Sequence, residues 1–290
     1  MSLKNKKSLG QHWLKNREIL DAIADLAVGD YLVNANSVSA DHTEVTTEYE
    51  SPSPVTTGAR DSSPQKRRLC PARLVLEIGP GLGTLTSSLL KLFDKVIAVE
   101  YDERLAKNLP NSFPGKNLEV VNADFLQFDL KKIPAPYVVA GNIPYYITSP
   151  IITKLLETEN PPIKIVLLIQ KEVAERIAAE DGKESVLSLS VKNRADVALG
   201  PVVEKEFFTP PPKVDSQVII LTPHSPLVSD EVMKLVKLGF SAPRKKLSHN
   251  LAPLAEKTKL LEIFETLKIS KDARPADLSL ETWSKLQNSL

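Results

Sequence analysis

The chain carries a single cysteine, Cys70, which excludes a disulfide framework and a cysteine-built zinc site and fits a reducing compartment. It has no apolar run approaching the roughly 18 residues needed to span a bilayer. Its opening seven residues, with Lys4, Lys6 and Lys7 among them, lack the apolar core of a signal sequence. Charge of one sign is missing too: 37 Lys and Arg stand against 36 Asp and Glu, a net charge of +1. Attraction to a polyanion must then come from a local patch rather than from the whole surface. These absences predict a cytoplasmic protein without membrane contact. The 290 residues that remain are enough for a full α/β core and a second small domain.

The stretch with the sharpest chemistry is Asn142-Ile143-Pro144-Tyr145-Tyr146. It follows the β-branched run Tyr137-Val138-Val139-Ala140 and precedes Ser149-Pro150, which reads as a helix cap with its first-turn proline. The motif therefore lies in a loop at the carboxyl end of a strand, the edge at which open α/β sheets bind ligands. An exocyclic amino group on a base is a poor nucleophile because its lone pair is delocalised into the ring. Two acceptors for its N–H protons localise that pair. Asn142 supplies one as its side-chain carbonyl oxygen. The backbone carbonyl of Ile143 or Pro144, held by the fixed proline φ, supplies the second. Tyr145 offers a ring face for stacking, worth roughly 1–3 kcal/mol per base. On these five residues alone an ordinary strand-to-helix turn with a buried tyrosine competes with this reading.

Taken in order, the chain starts basic and continues Ser8-Leu9-Gly10-Gln11-His12-Trp13-Leu14, which suggests a segment laid over a ligand. Asn16 then caps a helix whose apolar positions Ile19, Leu20, Ile23, Leu26 and Ala27 recur at helical spacing until Gly29. Residues 31–70 change character, with eleven Ser or Thr, three Pro and no sustained period, ending in Lys66, Arg67 and Arg68. Such composition predicts a flexible insertion.

Leu74-Val75-Leu76-Glu77-Ile78 reads as a strand that Gly79-Pro80-Gly81-Leu82-Gly83 turns into a helix near Thr84. A second strand, Lys95-Val96-Ile97-Ala98-Val99, ends at Glu100, 21 residues beyond Gly79, placed to accept from both ribose hydroxyls of a nucleoside. A third, Leu118-Glu119-Val120-Val121, leads to Asp124, an acceptor for an adenine amino group, and to Phe125 beside it. These elements mark a nucleoside cofactor without separating a dinucleotide from S-adenosylmethionine. The G-x-G-x-G spacing departs from the dinucleotide G-x-G-x-x-G, and four strand tips lining one cleft favour a methyl donor beside a base pocket.

In this order the stretches 10–14, 77–83, 142–145 and 170–174 resemble the ribosomal RNA adenine dimethyltransferases, most closely their bacterial small-subunit branch. Phe208-Thr209-Pro210-Pro211-Pro212-Lys213-Val214-Asp215-Ser216, residues 244–247 and residues 274–279 extend the likeness over nearly everything except 31–70. The resemblance implies an α/β fold, the Rossmann-like class I S-adenosylmethionine-dependent methyltransferase fold, with a small C-terminal all-helical domain. Residues 1–224 would form the catalytic domain, with the insertion 31–70, and residues 225–290 a helical RNA-docking domain. The cofactor would be S-adenosylmethionine, contacted by His12, the backbone of Leu14, Gly79, Glu100, Asp124 and Asn142. Asn142, Pro144 and Tyr145 would form the catalytic loop, with Phe208 closing on the base opposite Tyr145. His12 stands where the family usually has asparagine, and Lys183-Glu184-Ser185 replaces a glycine-bearing segment.

The implied reaction is in-line methyl transfer to the exocyclic amino groups of two adjacent adenosines in the 3′-terminal hairpin of small-subunit (16S) rRNA, without metal or covalent enzyme intermediate. The partner would be that rRNA within a pre-ribosomal particle, bound by a monomer during ribosome biogenesis. Lys213, Arg244, Lys245 and Lys246 are candidates for holding its phosphates. A large-subunit rRNA methyltransferase of the antibiotic-resistance type, a non-catalytic RNA-binding assembly factor and a nicotinamide oxidoreductase are the competing readings.

Overall fold

Successive side chains of a strand point to opposite faces of its sheet, and here that alternation sorts the apolar residues into two layers. In the computed structural model, which describes residues 11–29, 73–179 and 182–290, β2 (Leu74–Ile78) is buried along its whole length. Leu74, Leu76 and Ile78 join one core cluster and Val75 the other. The same parity holds in β6 (Lys164–Gln170), where Ile165, Leu167 and Ile169 face one way and Val166 and Leu168 the other. Burial on both faces is why these strands read as near-continuous apolar runs. The insertion 31–70 with Cys70 and the basic trio, the amino-terminal lysines and Gly10 lie outside the described residues.

The sheet has seven strands in the order β4 (Leu118–Asn122), β3 (Lys95–Glu100), β2, β5 (Val138–Asn142), β6, β9 (Ser216–Pro223), β7 (Ala195–Val203). The pairs from β4 through to β6 are parallel, and β9 runs antiparallel to both β6 and β7. The strand order reverses direction between β2 and β5, so a crevice opens at their carboxyl ends. A short separate pair joins β1 (Trp13–Leu14) to β8 (Phe208–Thr209), with Leu14 opposite Phe208.

One face is covered by α1 (Arg17–Val28) and α2 (Thr84–Leu92), through Leu20, Ile23, Ala24, Ala27, Leu85 and Leu89. As expected, Asn16 caps α1 by accepting from the Ile19 N–H (3.1 Å), and Gly29, at φ 75°, ends it. A short α3 (Glu103–Asn108) follows β3, and the other face is covered by α4 (Thr148–Glu157) and α5 (Lys171–Ile177), through Ile151, Ile152, Leu155, Ala174 and Ile177. The start of α4 differs from the sequence reading. A 3₁₀ turn over Tyr145–Ile147 runs straight into Thr148, so Ser149 lies inside the helix and Ile147 occupies the capping position without a side-chain bond.

Past β9, helices α7 (Asp230–Gly239), α8 (Leu247–Asn250), α9 (Lys257–Thr266) and α10 (Leu280–Ser289) enclose a third apolar cluster around Trp283, Phe264 and Leu247. Leu189 of α6 (Val186–Lys192) belongs to that cluster. The amides of Gly182 and Glu184 both donate to the Ala276 carbonyl at 3.1 Å, tying the segment before α6 to this helical unit. Here the departure at residues 183–185 has a physical account. Glu184 is buried and pairs with Lys192 (2.6 Å) and the Ser188 hydroxyl (2.5 Å), and Ser185 makes a capping box with Ser188 at the start of α6.

Candidate active site

The glycine turn after β2 is held open by its backbone. Gly79, Gly81 and Gly83 sit at φ 65°, 57° and 81°, a region that side chains with a Cβ adopt only under strain. Gly81 is also crowded: a Cβ there would approach Trp13 Nε1 to 3.1 Å. The turn leads into α2, so Thr84 and Leu85 at the start of that helix reach the cleft.

Two carboxyl groups stand beside the turn. Glu100, the last residue of β3, accepts from the Asp102 N–H through Oε1 (2.8 Å) and from the Gly81 N–H through Oε2 (3.0 Å). Burial pushes its carboxyl above the ordinary range, and these amide bonds oppose the shift. Each carboxylate oxygen keeps a further lone pair for a ligand hydroxyl. Glu77, within β2, is only 1 % exposed, and its Oε2 has no hydrogen-bond partner among the described residues. Burial pushes its carboxyl up to about 8; Thr86 in the first turn of α2 works against this and the Glu100 charge adds to it.

At the tip of β4, Asp124 accepts from the Leu126 N–H through Oδ1 (2.9 Å), a local bond that aims its other oxygen away from its own turn. Phe125 beside it is buried and lines the same cleft.

The acceptor loop leaves β5 at Asn142. Gly141 just before it has no room for a side chain, since a Cβ would lie 2.8 Å from the Ile78 carbonyl oxygen of β2. Asn142 donates through Nδ2 to the His12 carbonyl (2.9 Å), which leaves Oδ1 without a partner among the described residues. The Pro144 carbonyl accepts from the Ile147 N–H (3.2 Å) as the 3₁₀ turn closes, whereas the Ile143 carbonyl has no partner among the described residues. The Tyr145 hydroxyl bonds to Ser216 Oγ at 2.6 Å, pinning its ring to the start of β9, and burial raises its pKa. The His12 ring bonds through Nδ1 to the Pro210 carbonyl (2.7 Å) and lies nearly parallel to Tyr145, with centroids 6.0 Å apart and planes at 16°.

These groups surround one cleft of about 310 Å³. His12, Gly79, Glu100, Asp124, Asn142, Pro144 and Tyr145 all line it, so the structure brings together seven of the nine residues singled out from the sequence. Leu14 and Phe208 do not reach its wall. Phe208 is 2 % exposed in the same core cluster as Leu14 and as Leu20, the last of which lines the cleft. The β1–β8 pairing sets Leu14 and Phe208 opposite each other and turns them inward. The cleft also holds Trp13, Glu77, Tyr101 and Tyr146, which the sequence reading did not assign to it. Trp13 was findable from its place in the 10–14 stretch, and Glu77 from a charge inside an apolar strand. The insertion after α1 does not keep residues 11–13 from the cleft.

The donor set suits a sulfonium nucleoside: strained glycines that admit a ligand backbone, Glu100 and Asp124 as acceptors, and a buried Glu77 carboxyl whose Oε2 lacks a partner among the described residues. Among the described residues no group of three His, Cys, Asp or Glu gathers as a cation site, and no helix is long and apolar enough to cross a membrane. Outside the cleft, Lys213 and Arg244 are exposed without partners among the described residues, Lys245 lies 3.2 Å from His249, and Lys246 pairs with Asp272 at 2.5 Å.

Residues 40–290 match the family model described as ribosomal RNA adenine dimethylase. A ribosomal RNA small subunit methyltransferase A of Acaryochloris marina is 42 % identical over 231 residues, covering 74 % of this chain and 86 % of that protein. Its counterpart in Synechocystis sp. is 36 % identical over 310 residues, covering 100 % and 98 %. Among solved structures, a dimethyladenosine transferase from Plasmodium falciparum superposes with a TM-score of 0.63 at 33 % identity, over 73 % of this chain and 88 % of the other. The 23S rRNA methyltransferase ErmE superposes with a TM-score of 0.68 at 26 % identity, over 96 % and 99 %. With this cleft at the switch point of this sheet, the chain belongs to the ribosomal RNA adenine dimethylase family, S-adenosylmethionine-dependent methyltransferases of the class I fold.

Proposed function

We propose that this protein dimethylates two adjacent adenosines in the 3′-terminal hairpin of small-subunit rRNA during ribosome biogenesis. The observation that carries the reading is the pair of acceptors at the tip of β5 that have no partner among the described residues, Asn142 Oδ1 and the Ile143 carbonyl. An exocyclic amine offers two N–H donors, and two acceptors held by the protein draw its lone pair out of the ring. The Pro144 carbonyl, already engaged by Ile147, fits the second position less well than Ile143. Pro144 instead fixes the bend, at φ −59°.

S-adenosylmethionine supplies, when bound, an electrophilic methyl group on a sulfonium. Gly79, Glu100 and Asp124 would hold its amino-acid, ribose and adenine parts, with His12 and Trp13 lying over them. Tyr145, locked by Ser216, gives the target base a fixed ring face. Orientation then accounts for much of the rate, because acceptors and stacking face are held by bonds to other elements.

The target adenosine leaves its stack to enter the cleft, which costs least in a hairpin loop. Lys213, Arg244 and Lys245 are positioned on the surface to take its phosphates, and residues 225–290 are the helical unit we assign to docking a large RNA. The small-subunit target follows the names of the sequence relatives. We place the reaction in the cytoplasm on a pre-ribosomal particle, by a single copy of the chain. Mass spectrometry of adenosines near the 3′ end of small-subunit RNA, from cells with and without the gene, tests this. Two dimethyladenosines should disappear with the gene and return when undermethylated small subunits meet purified protein and methyl donor. Methylation of large-subunit RNA alone, or of neither, refutes it.

A further inference from the structure

Helix α4 leaves the acceptor loop without a break, and two turns along it Lys154 reaches back to the loop after β4. Its ammonium donates to the carbonyls of Leu126 (2.8 Å) and Phe128 (2.5 Å) and lies 5.6 Å from the centroid of the Phe125 ring. These are charge-assisted bonds and a cation–π contact. They fall on the turn whose Leu126 N–H orients Asp124. Asn160, beyond the end of α4, continues the clamp by donating to the carbonyls of Leu130 (2.9 Å) and Ile133 (2.8 Å).

Lys154 itself does not line the cleft. It opens on the outer side, in a shallow concavity shared with Asp129, Lys131 and Glu157. Burial lowers its pKa, and the charges of Asp124 and Asp129 act to keep it protonated. A charge so placed cannot touch a ligand in the cleft, yet it engages the backbone on both sides of Gln127.

We propose that Lys154 is a positioning residue: by holding the carbonyls of Leu126 and Phe128 it fixes Asp124 and Phe125 for the adenine of S-adenosylmethionine, and couples that half of the cleft to the helix carrying the acceptor loop. This rests on the assignment of Asp124 to the adenine. Lysine suits the task because one ammonium satisfies two carbonyls, and an aliphatic replacement leaves both unpaired.

The test uses the full chain with Lys154→Met, Lys154→Arg and Asp124→Asn, and measures S-adenosylhomocysteine affinity by calorimetry, steady-state kinetics, and amide hydrogen exchange in the ligand-free protein. Lys154→Met should weaken binding about tenfold, the loss expected for charged hydrogen bonds. KM for the methyl donor should rise with kcat nearly unchanged, and amides 126–128 should exchange faster. Lys154→Arg should recover most of the affinity, and Lys154→Met should add little on top of Asp124→Asn. If Lys154→Met does not fold, Lys154→Gln carries the same comparison. Wild-type affinity in Lys154→Met, a fall in kcat at constant KM, or full additivity with Asp124→Asn overturns the brace. Wild-type affinity in Asp124→Asn overturns the adenine assignment and the brace with it, whereas weak binding there beside normal binding in Lys154→Met overturns the brace alone.

Discussion

Glu77 makes the protein's stability fall as pH rises, and replacing it with glutamine should remove that slope. Its carboxyl lies inside β2, 1 % exposed, with Oε2 unpartnered among the described residues, and burial moves it from 4.5 up to about 8. Below pH 4.5 folded and unfolded chains both carry the proton, and Glu77 has no pH effect. Between 4.5 and 8 the unfolded chain has released a proton that the folded chain still holds, so each rise in pH favours unfolding. Above 8 both are ionised and the penalty is constant. Between pH 5 and pH 8 this amounts to at most about 3.5 kcal/mol, from about 1.4 kcal/mol per pH unit. Glu77→Gln keeps the shape and carries no charge. Urea denaturation of both proteins at pH 5, 6, 7 and 8, followed by circular dichroism, gives the difference directly. Glutamine should gain on glutamate steadily with pH. Parallel profiles would mean that Glu77 is already ionised in the fold, and the burial argument fails.

Asn142→Ala should lower methyl transfer by about 10²–10³-fold, the range for removing one preorganised group at a reacting centre. Its S-adenosylhomocysteine affinity by calorimetry should stay within a few-fold of wild type. Phe208→Ala should destabilise the fold by about 3–5 kcal/mol as a core deletion, read as a lowered Tm. In the folded fraction at low temperature KM for RNA should hardly move if the role is packing alone, and a selective rise in KM would show Phe208 acting on the base. Gly81→Ala should weaken cofactor binding at least about tenfold, since it meets both a positive φ and Trp13, strains of order 1–3 kcal/mol. Near-normal affinity would show that the turn can relax.

Much of the cleft was legible because its parts are local. Glycines after an apolar strand, an acid at the end of the next and the five residues from Asn142 each declare themselves within a short window, and parallel topology brings strand ends together. What was not legible was non-local. The burial of Phe208 rests on pairing with Leu14, nearly two hundred residues earlier, which no short window shows. Ser149 looked like a cap because Pro150 follows it, but the 3₁₀ turn from Tyr145 had already started the helix.

By itself the sequence determined the α/β pattern, the glycine turn, the acids at the strand tips and the acceptor loop, because periodicity and turn chemistry act over a few residues. Only the tertiary structure decided how the side chains around the cleft are oriented. Asn142 is oriented by the His12 carbonyl, Tyr145 by Ser216, and the loop after β4 by Lys154. Each of these bonds joins residues that meet only when the sheet is assembled.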